Sequence, residues 1–167
     1  LGRKVEGYMA DMIYTDTMDG AYKAARHLVK KGHERIGFLG SNRERTPLRL
    51  AGFQKALKEY GILEAPEYIH PYLQKEQDVF DVLDRLLGGE QAPTALLIAN
   101  YAVVIPFLKY INAHNITCPA DISIVCLASF DWAPLHTPAL TTVEQDTAEF
   151  AKRAVSVLMK RIENQEF

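Results

Sequence analysis

Apolar and polar residues along the chain follow two different periods. Short runs rich in β-branched and aromatic residues predict strands, and longer stretches with apolar residues at three- and four-residue spacing predict helices. The two kinds of segment alternate through most of the sequence. The predicted strands cover residues 12–15, 35–39, 68–72, 95–99, 122–127 and 140–143.

Five helices are predicted between and after these strands. Gly32 should end the first, because glycine readily takes the left-handed conformation that closes a helix, and Gly61 should end the second. Thr46 is expected to cap the second helix, with Pro47 in its first turn. The predicted helices run from about 18 to 31, from 46 to about 61, from 77 to 87, from 102 to 114, and from 147 towards 162.

This alternation predicts an α/β fold, with a mostly parallel, doubly wound sheet that carries helices on both faces. Sheets of this kind bind ligands at the carboxyl ends of their strands. The polar segments expected at that edge are residues 16–19, 41–49, 72–77, 100–101, 128–132 and 145–146.

Composition narrows the classes of function. With 48% hydrophobic residues, 24% charged residues and a net charge of −2, the 167-residue chain is typical of a globular protein and has no marked charge for binding polyanions. Cys118 and Cys126 fit neither a zinc nor a redox spacing, and no two histidines lie four residues apart, so no metal or cofactor is predicted. Few cysteines indicate a reducing, cytoplasmic setting. No phosphate-binding loop or nucleophile motif indicates an enzyme.

Five segments, in the same order along the chain, resemble the lactose-repressor/galactose-repressor (LacI/GalR) family of bacterial transcription regulators. The first is a helix ending in H-L, followed by G-H-x-x-I and a strand. The later family motifs are R-x-x-G-F-x-x-A-L, P-T-A-x-x-x-x-N, P-x-D-I-S-V-V and P-x-L-T-T-V-x-Q. The five segments occupy residues 20–40, 49–57, 93–100, 119–125 and 138–145. Each motif alone is weak, but five in order are specific.

The resemblance implies a type I periplasmic-binding-protein-like core with part of two lobes. It assigns residues 1–32 to the end of the N-terminal lobe, 33–144 to the C-terminal lobe and 145–167 to a return to the first lobe. A small effector, a sugar or related metabolite, would bind between the lobes and control operator DNA allosterically. The DNA would be contacted only by a headpiece that is absent from this chain, and a homodimer is expected.

The resemblance also nominates effector-binding residues. Arg49 matches the arginine that holds the effector, although it could also be a surface arginine at a helix start. Asn100 matches the asparagine after the P-T-A strand, with helix capping as the alternative. Asp19 matches an acidic residue that faces the cleft, or it stabilises the helix N-terminus by its charge. Gln145, at the lobe crossover, is a further candidate.

Two positions depart from the family pattern. Where the family usually has Gly-Phe-Asp-Asp after a strand, this chain has Cys126-Leu127-Ala128-Ser129, and Asn-Asp becomes Asn100-Tyr101. Ala128 and Tyr101 therefore replace two carboxylates in the expected effector site. A site with fewer acceptors and one more aromatic ring should suit a less polyhydroxylated or more apolar ligand, unless Asp131 supplies the acceptor.

The resemblance places a dimer interface on the helix of residues 101–110 and the loop of residues 130–136. Val104, Phe107 and Trp132 are expected to expose apolar surface there.

Two other functions stay open. An extracytoplasmic sugar-binding protein could share the fold, although P-x-L-T-T-V-x-Q favours the regulator. A flavodoxin-like or hydrolase-like α/β enzyme is the second alternative, and the missing catalytic motifs disfavour it.

Overall fold

The computed structural model describes residues 11–41, 43–128 and 130–164. The chain divides into two compact units. One contains residues 17–144, and the other combines residues up to Asp16 with residues from Gln145 onward.

The larger unit contains five strands and four helices. In chain order they are α1 (Thr17–Lys30), β1 (Ile36–Ser41), α2 (Thr46–Glu59), β2 (Ile69–Leu73), α3 (Glu76–Leu87), β3 (Ala95–Ile98), α4 (Tyr101–Ala113), β4 (Ser123–Cys126) and β5 (Thr141–Thr142). Gly32 and Gly61 have φ values of 92° and 68° just beyond the ends of α1 and α2. Both therefore end their helices as predicted, in the conformation that glycine tolerates best.

All five strands pair in parallel, in the order β2-β1-β3-β4-β5. From β1 the chain first adds β2 on one side and then crosses to add β3 on the other. The strand order therefore reverses between β1 and β3, and a crevice opens at the carboxyl ends of strands at such a switch point.

Both faces of the sheet are buried, because successive side chains of a strand point to opposite faces. On one face, Phe38, Leu97 and Val125 pack with α1 and α2. On the other, Leu39, Ile98 and Cys126 pack with α3 and α4. Cys126 is fully buried there and packs as a small apolar residue, and burial raises the pKa of its thiol to about 12.

The contact between α1 and α2 depends on Gly52. A β-carbon at this position would overlap the carbonyl oxygen of Met18 and come within 3.1 Å of the amide nitrogen of Tyr22. The two helix backbones can therefore approach this closely only because residue 52 has no side chain.

The smaller unit contains α5 (Thr147–Asn164), as the sequence predicts. Asp146 accepts a hydrogen bond from the Glu149 amide at 2.8 Å and so caps this helix, and Arg161 pairs with Asp11 at 2.6 Å. Val155, Leu158 and Ile162 form an exposed apolar stripe along it. No helix in the described part of the chain combines the length and apolar character needed to cross a bilayer.

One sequence prediction differs from the structure. Residues 12–15 do not form a strand, because a strand needs a hydrogen-bonded neighbour and the described residues of the smaller unit contain no other strand. The larger compact unit begins at Thr17, because α1 packs against α2 and the sheet. The lobe boundaries predicted for a longer protein, at residues 32 and 144, stay a prediction.

The Gly52 contact gives a stability test. Gly52→Ala should lower the free energy of unfolding by about 1–3 kcal/mol, since the added methyl group forces two packed backbones apart. Gly20→Ala is the matched control in α1. Its β-carbon would meet no atom closer than Val143 Cγ1 at 3.7 Å, so helix propensity should leave stability equal or raised. Urea unfolding followed by circular dichroism measures both, and equal stabilities would contradict the close approach.

Candidate effector site

The switch point between β1 and β3 gathers polar groups that are far apart in sequence. Ser41 ends β1, Asn100 follows β3, and Thr46 and Arg49 lie in the first turns of α2, which leaves this edge. The rule for open α/β sheets places a ligand here. We call Ser41, Thr46, Arg49, Ala99 and Asn100 the switch-point site.

Asn100 joins the two strand ends. Its Oδ1 accepts a hydrogen bond from the Ser41 backbone amide at 2.8 Å and lies 3.5 Å from the Thr46 hydroxyl, and the residue is only 7% exposed. Its side chain makes no capping bond to α4. The helix-capping alternative is therefore wrong, because the amide oxygen is already used across the sheet.

Thr46 also differs from its predicted role. It is the first residue of α2, and Arg45 occupies the capping position without a side-chain bond. The Thr46 hydroxyl instead donates to the Ser41 carbonyl at 2.7 Å. Thr46 therefore holds the β1–α2 turn closed. The sequence placed Ser41 and Thr46 in a candidate segment, but nothing local signals that they bond to each other and to Asn100.

Arg49 reaches back to the end of β3. Its Nη1 donates to the Ala99 carbonyl at 2.6 Å, and the side chain is half-buried. Burial, and then the nearby charge of Arg45, lowers the pKa of this guanidinium from its ordinary value. An arginine stays charged in proteins, so the site contains a partly desolvated cation.

One buried polar atom at this edge lacks a protein partner. The Ser41 hydroxyl is buried, and no hydrogen bond to it is found within the described residues. Most buried polar groups are hydrogen-bonded, so an orphan beside Asn100 and Arg49 marks this edge as unusual.

Tyr101, the residue after Asn100, belongs to a cluster of three aromatic rings. Tyr101 is 54% exposed, and its ring centroid lies 5.2 Å from that of Phe130, which stacks on Trp132 at 4.8 Å. Ala128, just beyond β4, is partly buried against the α3–α4 side of the core. A ring and a methyl group therefore occupy the two positions where the family pattern led us to expect carboxylates.

Two further candidates from the sequence stay predictions. Asp19 lies in the first turn of α1 and pairs with Lys23 at 2.6 Å, which is compatible with the helix-charge alternative. Gln145 is exposed and belongs to the smaller unit.

The predicted exposure of Val104 and Phe107 is wrong. Both side chains are 0% exposed and belong to the core formed with α3 and the sheet. Helix α4 is apolar on most of its circumference, so the sequence could not show which side faces outward. Trp132 is half-buried, and Leu135, at 81% exposed, is the large apolar side chain that projects from this loop.

Cavities lie at the amino edge of the sheet, opposite the switch-point site. One of about 390 Å³ is lined by Tyr68, His70 and Arg85 among others, and one of about 450 Å³ by Arg35, Tyr60 and Tyr68 among others. Neither contains a residue predicted to bind the effector. Within the described residues no group of histidine, cysteine or acidic side chains is arranged to hold a metal ion.

Comparison with known proteins identifies the class. The model of the periplasmic binding protein-like domain matches residues 25–167, so the chain belongs to that family. The HTH-type transcriptional repressor PurR of Haemophilus influenzae (strain PittEE) is 29% identical over 154 residues, which cover 91% of this chain and 46% of the relative.

Solved structures agree with this assignment. A putative transcriptional regulator LacI from Bacillus cereus subsp. cytotoxis superimposes with a TM-score of 0.77 at 27% identity, covering 92% of this chain and 55% of the other. A LacI family transcriptional regulator from Enterococcus faecium, solved with bound ribose, gives a TM-score of 0.81 at 26% identity, covering 98% and 61%. The LacI/GalR resemblance and the predicted fold are thus confirmed, and the chain spans about half the length of these relatives.

The Asn100 bridge can be tested by stability. Asn100→Ala should lower the free energy of unfolding by about 1–3 kcal/mol, because the buried Ser41 amide loses its acceptor. Asn112→Ala, on the exposed side of α4, is the matched control and should change stability little. Chemical denaturation gives both values. If the two variants were equally stable, the bridge would contribute nothing to the fold.

Proposed function

We propose that this chain is the effector-sensing part of a LacI-type transcription regulator, and that the switch-point site contacts the effector. The observation that carries the proposal is the position of Arg49 and Asn100 at the point where the strand order reverses. Open α/β sheets generally bind ligands at this edge, which supports the site. The names of the curated relatives, transcriptional repressors, support the regulator.

Control of transcription would be allosteric. In the intact regulator, the effector would favour one arrangement of the core over another and so reposition DNA-binding headpieces on the operator. Such coupling requires that the effector bind the two arrangements with different affinity. This chain would do no chemistry itself, and the names of its relatives support a regulator rather than an α/β enzyme.

The effector is a small metabolite related to a sugar. One relative carries ribose in its solved structure, which supports this class of ligand. Tyr101 and Ala128 would make the pocket less suited to a neutral polyol than a site with two carboxylates. Asp19 and Gln145 are further candidate contacts from the family pattern. The names of the relatives also favour the regulator over an extracytoplasmic sugar-binding protein, and a cytoplasmic location goes with that role.

The effector test uses Arg49. A panel of sugars, sugar phosphates and sugar acids is first screened by thermal shift, and the strongest ligand is titrated calorimetrically into wild-type protein and Arg49→Ala. The variant should bind at least about tenfold more weakly, since losing a partner for a buried polar group costs ~1–3 kcal/mol and 1.4 kcal/mol is a factor of ten.

Arg85→Ala is the control for the Arg49 test. It removes the same charge from an exposed position near the amino edge of the sheet and should leave affinity unchanged. Equal affinities for wild type and Arg49→Ala, with matching circular dichroism, would remove Arg49 from the site.

We also propose that the chain forms a homodimer through the surface around Trp132 and Leu135. Leu135→Glu should weaken self-association in sedimentation equilibrium, because it places a charge on an exposed apolar side chain of that surface. Leu63→Glu is the matched control. Leu63 is 90% exposed in the loop after α2, so this variant should not weaken self-association. A wild-type chain that stays monomeric at high concentration would contradict the proposal.

A further inference from the structure

Arg49 has no carboxylate partner in the described structure. None of the four ion pairs found among the described residues involves it, and its single hydrogen bond there goes to the Ala99 carbonyl. Partly buried charges in proteins are usually paired, because burial removes part of their hydration. The remaining guanidinium donors are available for an anion that arrives with a ligand.

The Asn100 side chain is oriented so that its amide oxygen is bonded and its amide nitrogen makes no hydrogen bond among the described residues. The Ser41 backbone N–H can only donate, so it requires the side-chain oxygen rather than the nitrogen of Asn100 beside it. A flipped amide would place two donors face to face. The described hydrogen bonds of this side chain all use Oδ1, which leaves Nδ2, a pure donor, for a ligand.

None of the described ion pairs or hydrogen bonds brings a carboxylate to either donor. Arg45 adds a second cation: its carbonyl oxygen accepts the backbone N–H of Arg49 at 3.1 Å, and its charge lowers the pKa of Arg49. Ala128 has no polar side-chain atom. Glu44, in the turn before α2, and Asp131, after β4, are exposed, and the candidate Asp19 already pairs with Lys23.

From these observations we infer that the effector carries a carboxylate or phosphate group and binds with it against Arg49 and the Asn100 amide nitrogen. A neutral polyol would need acceptors for its hydroxyl protons, and the switch-point site offers mainly donors. The inference rests on the proposed function, since it names the chemical class of the effector for the same site.

The test compares three probes: a neutral sugar, the corresponding sugar acid, and phosphate without a sugar. D-Ribose, D-ribonate and inorganic phosphate are titrated at constant ionic strength into ¹⁵N-labelled protein, while the side-chain signals of Asn100 and Arg49 are followed by NMR. Ribonate and phosphate should shift both signals and bind at least about tenfold more tightly than ribose. Comparing ribonate with phosphate shows whether the site prefers a carboxylate or a phosphate group.

Two variants change the donors without removing the side chains. Asn100→Asp keeps the oxygen that Ser41 requires but replaces the donor with a carboxylate oxygen, and it should weaken anion binding at least about tenfold. Arg49→Gln keeps donors but removes the charge, so it tests the same idea if Asn100→Asp fails to fold. Arg85→Ala should bind the anions as the wild type does.

The outcomes separate this inference from the proposed function. Equal or tighter binding of ribose at Arg49 and Asn100 would overturn the inference but leave an effector site at this edge. Anion shifts that are absent at millimolar concentration, or that map elsewhere, would also overturn the inference. If in addition Arg49→Ala left the affinity for the screened effector unchanged, the proposed function would fail as well.

Discussion

The hydrogen bond from the Ser41 amide to the Asn100 side chain organises the carboxyl edge of this sheet. It joins the ends of β1 and β3, which are neighbours in the sheet but 59 residues apart along the chain. Because this bond uses the amide oxygen, the amide nitrogen of Asn100 is left without a hydrogen bond among the described residues. The Arg49 contact with Ala99 acts at the same strand end and holds α2 to β3. The positions of the donors in the switch-point site depend on these two bonds.

The packing of α2 against α1 supports the same arrangement. Gly52, three residues after Arg49, lets the backbone of α2 approach that of α1. Phe53 and Leu57 then fill the space above β1 and β3. A helix held this closely has little freedom to rotate, because packed interiors transmit small shifts to their neighbours. The guanidinium of Arg49 is therefore presented from a rigid element, which favours a defined ligand geometry.

The chain combines the fold of a family of sensors with an altered set of polar groups. A repressor is 29% identical to it over 154 residues, and a solved regulator superimposes on it with a TM-score of 0.77. At this edge, however, a methyl group and an aromatic ring stand at Ala128 and Tyr101. Specificity in such sites depends strongly on whether each buried polar group finds its complement in the ligand. If these positions line the proposed effector site, an alanine and a tyrosine in place of carboxylates would change which ligands are compatible while the architecture is retained.

Apart from the strand predicted at residues 12–15, the sequence by itself determined the kinds of element, their order, the parallel two-faced sheet and the edge that holds Arg49 and Asn100. These follow from local periods of hydrophobicity, from glycines at helix ends and from ordered motifs, all of which are visible within short windows. The tertiary structure decided which groups meet. Thr46 bonds to Ser41 instead of capping α2, Asn100 bonds to Ser41 instead of capping α4, and α1 joins the larger unit. It also decided that Val104 and Phe107 face the core, because a helix apolar on most sides has no marked outer face until the sheet covers one. Hydrogen-bond partners and buried faces are set by neighbours distant in sequence, which no local pattern identifies.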